Sequence, residues 1–479
     1  MVDLLVNEVR GVHLGDERLN ERLVRIVERL GEAPNLSIPA ATRSRAEMEA
    51  AYRFFSNENV SAEKILTPHA VQTLRRMAEQ SVVLMVQDTT EIDLTRPSQP
   101  VRGAGPMDCE NRRGEFFHPL MAFNAEGTPL GIVWHKLWAR ETINSDLTPK
   151  EKNALRKKTP IEDKESIRWI EGLRAARKAA SECPQTTCVC ISDSESDLYE
   201  LFSEPRTESA DASHEDTPPA VHLLIRACQD RSTEAGRLLE NSRRGPCLCR
   251  NTIHLSSRQA KTRMSKGRRA ESRDSRTAEV EVRATTVTLN PPQRLSRTQT
   301  ILPMNVVLVE EQHPPEGTDA VQWLLLTTLP IDTTEQVQQI VEYYCLRWQI
   351  EVYFRTLKSG CRVEERQFET MSRVENSLAV YSMVAWRVMY LCCLGRNCPD
   401  LCCEVVLTPS EWKSVYKVTH RQSELPSKPP RLNDMIRLIA SLGGYVIRSK
   451  TQPGTQTLWT GLQLMHYLAL AWDAFGPAH

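Results

Sequence analysis

Two aspartates each follow an apolar, β-branched run in this chain: VVLMVQ (82–87) leads into Asp88 and TCVCIS (187–192) into Asp193. Open α/β sheets place their sites at the carboxyl ends of strands, so the pair can share one site. An acid after a strand is also an ordinary turn starter, so either aspartate alone decides little. A third acid lies in TTEQVQQIVEYYCLRWQIEVYFRTLK (333–358), which reads as one long helix. At about 100° per residue, Tyr344, Arg347, Glu351 and Lys358 share a stripe about 60° wide. Trp348, Ile350, Tyr353 and Phe354 make the other faces apolar, so this helix is packed. The plain alternative is a surface Arg347–Glu351 pair at i,i+4.

Three carboxylates with an arginine and a lysine suit in-line displacement at phosphorus. The attacking oxygen must be activated and the leaving oxygen stabilised, and two divalent ions about 4 Å apart do both. Asp and Glu supply the hard oxygen ligands that Mg²⁺ prefers. Arg347 would grip a phosphate bidentately and Lys358 as a point charge, with a hydrogen bond from Tyr344.

The surrounding pattern supplies elements to hold these groups. Leu19, Leu23, Ile26 and Leu30 form one face of a helix at 17–30, and a capping box at Ser44–Glu47 starts another. Ser61 can cap the next, so residues 1–65 read as a helical module. Strands follow at 116–123 and 129–135, joined by a turn at Asn124–Gly127. A helix with Trp169, Leu173, Ala176 and Ala180 on one face precedes Asp193, and a short helix at 197–202 and a strand at 221–227 follow it. That order is the order of a ribonuclease-H-like core. Residues 228–322 read as a β-rich insertion, and the chain from 375 onward as mostly helical. The expected division is 1–65, 66–374 with the insertion, and 375–479.

Bulk properties set the class. The 479 residues hold 61 Lys+Arg and 61 Asp+Glu, which argues against a histone-like coat. Charge is nevertheless clustered: 258–276 carries eight basic residues, either a solvated loop or an arm that tracks phosphates. The polar stretch 203–220 reads as disordered. The apolar segment 378–394 has Arg387 in its middle and reads as a buried helix rather than a membrane span. The first residues lack a signal-peptide pattern, so an intracellular protein is expected. The 14 cysteines show no zinc-finger spacing and read as reduced, mostly buried thiols.

The spacing Tyr344-x2-Arg347-x3-Glu351-x6-Lys358 resembles the Y-R-E-K signature of DDE transposases of the insertion-sequence-four family. The chain is similar to the Tn-five type of that family from end to end. LGDERLNERLV, AYRFFSNENVSAE, VQDTT, SDSESD, WLLLTTLP, YCLRWQIE, LTPSEW and LGGYVIRSK carry the likeness in order. The resemblance implies an α/β, ribonuclease-H-like catalytic core with a β-rich insertion, flanked by helical regions at both ends. It implies that Asp88, Asp193 and Glu351 are catalytic metal ligands for two Mg²⁺ ions, with Mn²⁺ able to substitute. Further DNA contacts are implied at Trp323, on which a flipped base would stack, at Arg226 near the cleaved end, and at Arg22 in the end-binding helix. Read without the resemblance, Trp323 is a core residue on an apolar strand. The implied partners are double-stranded DNA, as transposon ends and target, and a second copy of the chain in a paired-end homodimer. No membrane is implied, and the implied location is the cytoplasm of a prokaryote, at the nucleoid when bound to DNA. Cleavage would run through a DNA hairpin.

This sequence departs from the family's pattern at Ser194, where arginine is expected, in a longer 203–220 loop, and across 230–300. Those departures bear on DNA contacts and end specificity. Two rivals stay open on the sequence: a ribonuclease-H-like nuclease without strand transfer, and a silent protein that binds DNA ends and inhibits.

Overall fold

The computed structural model describes all residues except 1, 97–98, 110, 142–146, 207–220, 256–263, 266–267, 270–274, 296–300, 422–423, 448–450 and 477–479. Most of the loop 203–220 and much of the basic segment 258–276 therefore lie outside the described residues.

Five helices open the chain: α1 (Val2–Val9), α2 (Glu17–Glu32), α3 (Ile38–Ala41), α4 (Arg45–Phe55) and α5 (Ala62–Ala78). Strands β1 (Val82–Gln87), β2 (Thr90–Asp93), β3 (Gly105–Pro106), β4 (Arg113–Asn124) and β5 (Pro129–Trp138) follow. Then come α6 (Pro149–Lys158), α7 (Ile167–Ser181), β6 (Thr187–Ser192), α8 (Tyr199–Ser203) and β7 (His222–Arg226). The β-rich stretch holds β8 (Ser232–Thr233), β9 (Gly236–Arg237), α9 (Leu238–Arg244), β10 (Cys247–Leu255), β11 (Met264–Ser265) and β12 (Arg268–Arg269). It ends with β13 (Arg276–Leu289), β14 (Leu302–Glu311) and β15 (Gln322–Thr327). Helices complete the chain: α10 (Thr334–Leu346), α11 (Gln349–Arg355), α12 (Met371–Asn397), α13 (Pro409–His420), α14 (Leu432–Leu442) and α15 (Thr455–Phe475). The result is a mixed α/β protein with helical flanks.

Contacts gather these elements into two compact units. One comprises Met1–Leu155, Arg174–Cys188 and Trp348–His479; the other comprises Arg156–Leu173 and Val189–Arg347.

In the first unit the helix starts expected from the sequence are formed. Ser44 accepts the N–H of Glu47, and Ser61 that of Lys64. The Ser44 box is not reciprocal, because the Glu47 carboxylate takes the N–H of Arg43 at 2.8 Å instead. β4 pairs antiparallel with β1, β2 and β5, and the β4–β5 turn closes with Gly127 N–H on Asn124 O. Gly131 lets β5 approach α5. Its φ is +146°, and a β-carbon there would lie 2.0 Å from Thr73 Oγ1.

α12 is the spine of this unit. It is long and apolar enough to cross a membrane, but 89% of its apolar window is buried within the protein. Trp386 donates its indole N–H to Pro129 O and stacks against Arg76. Arg76 grips the buried Glu8 with both terminal nitrogens, and Glu8 accepts the Nδ1 proton of His69 at 2.5 Å. His69 Nε2 accepts the N–H of Ile132, which assigns the neutral tautomer. α1, α5, β5 and α12 are thus tied by one satisfied polar network.

In the second unit β6 and β7 pair in parallel, Val189 opposite His222 through Ser192 opposite Ile225. β7, β15, β14, β13 and β10 continue from them as antiparallel neighbours. The β-rich stretch expected at 228–322 is therefore present, with α10 packed on β10 and β14.

Three expectations need correction. The segment 333–358 is not one regular helix: α10 ends at Leu346, α11 starts at Gln349, and Thr356–Gly360 is a π-helical turn. At the first break the N–H of Arg347 bonds Tyr344 O, an i−3 rather than an i−4 partner. The single 60° stripe therefore does not exist as drawn. The helix expected at 197–202 is α8, but it starts later, at Tyr199, after a 3₁₀ turn at Ser194–Ser196. None of the fourteen cysteines is in a disulfide, and the expectation that most are buried fails: only Cys183, Cys188, Cys190, Cys361, Cys392 and Cys403 are.

Glu115 on β4 is fully buried, and neither carboxyl oxygen has a hydrogen-bond partner. Burial, with the charge of Glu375 adding to it, raises its pKa well above the ordinary carboxylate value. A folded-state pKa raised above the unfolded one gives stability that is present in acid and lost as pH rises through the folded value. Glu115→Gln should accordingly raise the melting temperature more at pH 8 than at pH 5. An equal or larger gain at pH 5 would contradict this.

Candidate active site

β1 places Asp88 directly after its carboxyl end. The half-buried carboxylate accepts the N–H of Thr89 at 2.8 Å. Beneath it runs a short buried chain: Thr89 Oγ1 meets His118 Nδ1 at 2.8 Å, and His118 Nε2 meets Gln87 Oε1 at 3.1 Å. Gln87 Oε1 can only accept, so His118 Nε2 donates, and in the neutral ring Nδ1 accepts from the Thr89 hydroxyl. The strand end that presents Asp88 is held from below. The pattern of residues does not announce this support; its one sequence signal is a histidine inside the apolar run FFHPLMAF.

Thr89 and Thr90, directly after Asp88, line a polar cavity of about 640 Å³ together with Trp348, Glu351, Arg355 and Lys358. Glu351 lies in the first turn of α11 and Lys358 in the π-turn. Lys358 Nζ donates to Glu91 O and pairs with Glu364, each at 2.9 Å. Glu364 also accepts the N–H of Asp93. Along β2, Arg112 binds Asp93, Glu91 and Asp108. Burial works against its charge, and bonds led by that to Asp93 outweigh it and raise its pKa. Glu364 escapes a reading of the sequence, because nothing local brings it to this cavity, whereas Arg355 stands at i,i+4 from Glu351 on α11 and helical spacing could have found it.

The second unit gathers the remaining candidates. Asp193, at the end of β6, caps the 3₁₀ turn by accepting the N–H of Glu195 at 2.8 Å. Arg226, at the end of β7, donates to the hydroxyl of Ser194 at 3.3 Å. Tyr344 is buried, which raises its pKa; the charges of Arg226 and Arg347 oppose that shift and Asp193 adds to it. Arg347 sits 5.9 Å from the Tyr344 ring centre. Trp323 meets the same ring edge-on, with centroids 5.2 Å apart. It is half-buried rather than sealed in the core, so part of its indole surface is open. Asp193, Arg226, Trp323, Tyr344 and Arg347 thus form one neighbourhood, and Glu351, Lys358 and the strand end bearing Asp88 form another.

Among the described residues no group of three or more His, Cys, Asp or Glu side chains stands ready to hold a metal ion. The donor chemistry nonetheless fits a hard divalent cation, since each candidate ligand is a carboxylate.

Arg22 lies elsewhere, on α2. With Arg25 and Arg29 it rims a cavity of about 200 Å³ whose floor includes Ile26, Leu30 and Ile38. Arg29 is paired with Glu32 and Glu47 at 3.4 Å. Arg25 is exposed and Arg22 half-exposed.

Three family profiles match this chain in succession: transposase DNA-binding over residues 1–60, transposase DDE domain over 220–386, and transposase Tn5 dimerisation domain over 383–471. Among solved structures, the cryo-EM piggyBac transposase synaptic complex with hairpin DNA is similar over 97% of this chain and 74% of its own, at 9% identity and a TM-score of 0.34. A likeness that loose says nothing about the reaction.

The DNA-binding match covers α2, whose arginines Arg22 and Arg25 reach solvent. Replacing both by alanine should weaken DNA binding and flatten its dependence on log[salt] by about two units of slope at most, about one per lost phosphate contact. Binding titrations at several salt concentrations check this. An unchanged affinity and slope would remove both arginines from the DNA surface.

Proposed function

We propose that this DDE transposase, with its DNA-binding, catalytic and dimerisation segments, is a cut-and-paste enzyme of the insertion-sequence-four family. It binds the ends of its element as a homodimer, cuts them through a hairpin intermediate and joins the 3′-OH ends to target DNA. What supports the catalytic part most is the polar cavity in which Glu351 and Lys358 accompany the residues directly after Asp88.

In this reading Asp88, Asp193 and Glu351 together hold two Mg²⁺ ions within a ribonuclease-H-like core. Bound there, the ions would activate the attacking oxygen and stabilise the leaving one. The remaining work falls to the chain. Lys358 and Arg347 clamp phosphates of the DNA strand, and Arg226 contacts DNA near the cleaved end. Water first cuts one strand. The freed 3′-OH then attacks the opposite strand, closing a hairpin and releasing flanking DNA. Water opens the hairpin, and the same 3′-OH attacks a target phosphate. Each step is a phosphoryl transfer whose barrier is lowered mainly by positioning and charge. Residues 1–65 bind the ends, 66–374 catalyse, and 375–479 pair the protomers.

Asp88→Ala, Asp193→Ala and Glu351→Ala should each abolish cleavage in Mg²⁺ while leaving end binding within a few-fold of wild type. Metal ligation serves the chemical step, whereas phosphate and groove contacts give affinity. Cleavage by any of the three at near wild-type rate would overturn the assignment, and cleavage without joining in the wild type would favour a plain nuclease.

Trp323 separates the hairpin route from direct cleavage. A reversed backbone unstacks a base, and an aromatic plane restores about 1–3 kcal/mol of stacking. At about 1.4 kcal/mol per tenfold, Trp323→Ala should slow hairpin closure by about one to two orders of magnitude and leave first-strand nicking nearly unchanged. Equal loss of both steps, in a protein whose melting temperature has fallen, would make Trp323 a packing residue only.

A further inference from the structure

Lys358 does not sit on an α-helical turn. Thr356–Gly360 is π-helical, closed by Cys361 N–H on Thr356 O at 2.9 Å. A π-turn takes one residue more than an α-turn, which rotates the succeeding side chains by about 100°. Such turns are rare, and the surroundings must hold them. Here the two sides of the turn have different neighbours. Lys358 and Ser359 face the polar cavity with Glu351 and Arg355. Leu357 and Gly360 face inward and are buried.

Gly360 faces the indole of Trp459 on α15. A β-carbon at Gly360 would lie 2.9 Å from Cε3 and 3.0 Å from Cδ2 of that ring, closer than packed atoms tolerate. Gly360 is not in the left-handed region, so its lack of a side chain serves this approach and nothing else. Trp459 cannot readily withdraw. It is part of a packed cluster with Leu458, Leu462, Ile436 and Ile439.

We propose that Trp459 is a positioning residue for Lys358. The indole seats the π-turn from below, and the turn aims the lysine into the catalytic cavity. α15 lies within the segment matching the dimerisation domain. The segment that resembles a dimerisation domain therefore includes the helix that seats this turn. This inference rests on reading Lys358 as a phosphate contact.

A mutant cycle on the full-length chain tests it, with strand cleavage, DNA-end binding and melting temperature measured for each variant. Lys358→Ala should lower the cleavage rate. Gly360→Ala, which pushes a methyl group into the indole, should lower it about 10- to 100-fold with end binding retained. Adding Trp459→Leu to Gly360→Ala makes room and should restore part of the rate. In the Lys358→Ala background, Gly360→Ala should cost less than about twofold, because the group it acts through is gone. Should Gly360→Ala fail to fold, Trp459→Phe replaces it in the same cycle, with the same non-additivity expected. The proposal is overturned if either change lowers cleavage by the same factor with and without Lys358, or if Gly360→Ala and Trp459→Phe both leave cleavage unchanged. If Lys358→Ala alone leaves cleavage intact, the reading of the site fails instead.

Discussion

The end of α2 and the chain just after it leave backbone carbonyls without helical partners, and two buried arginines reach them. Arg387, in the middle of α12, donates to Gly31 O at 2.5 Å, and Arg366 donates to Pro34 O, Leu36 O and Cys361 O. A buried guanidinium is costly to desolvate unless its protons are used. The negative end of a helix dipole is a favourable place to use them. Burial still pushes the Arg387 pKa down to about 10, which leaves it charged at neutral pH. Neither side is expendable: truncating an arginine strands carbonyls in the core, and displacing α2 strands a charge.

That arrangement fixes the segment matching a DNA-binding domain to the scaffold of the first unit. Arg366 lies a few residues after Lys358, and its own carbonyl accepts from Arg96. The backbone from the π-turn to α12 is therefore held by the Arg96 side chain from the loop after β2, and the Arg366 side chain ties it to the backbone that follows α2. A site that works by aiming charges at phosphate benefits from such rigid mounting, since loose side chains forfeit most of the advantage of proximity.

Much of this is legible from local pattern. Continuous apolar runs locate β1 and β6, and with them Asp88 and Asp193, because a strand buried on both faces leaves an unmistakable composition. Ser44 and Ser61 locate helix starts through capping chemistry that a few residues decide. The helix 371–397 is readable as buried because of Arg387. The features that escape are decided at long range. The π-turn has no local signature and depends on Trp459, far along the chain. β2, TEID, is too short and polar to stand out and exists because β4 pairs with it. The Thr89–His118–Gln87 chain and the Lys358–Glu364 pair join residues that neither spacing nor periodicity connects. The extended α-helical stripe is a fair reading of 3.6-residue geometry, and tertiary packing overrides it.

Under the proposed function Asp88, Asp193 and Glu351 ligate one metal centre. Thiolate substitution tests it directly, since sulfur disfavours Mg²⁺ and accepts softer ions such as Mn²⁺ and Cd²⁺. Cleavage by Asp88→Cys, Asp193→Cys and Glu351→Cys would be measured on element-end DNA in each metal. The account predicts that all three lose activity in Mg²⁺ and that Asp193→Cys regains it in Mn²⁺ or Cd²⁺ as the other two do. Full activity of Asp193→Cys in Mg²⁺, or rescue of Asp88→Cys and Glu351→Cys but never of Asp193→Cys, would contradict it.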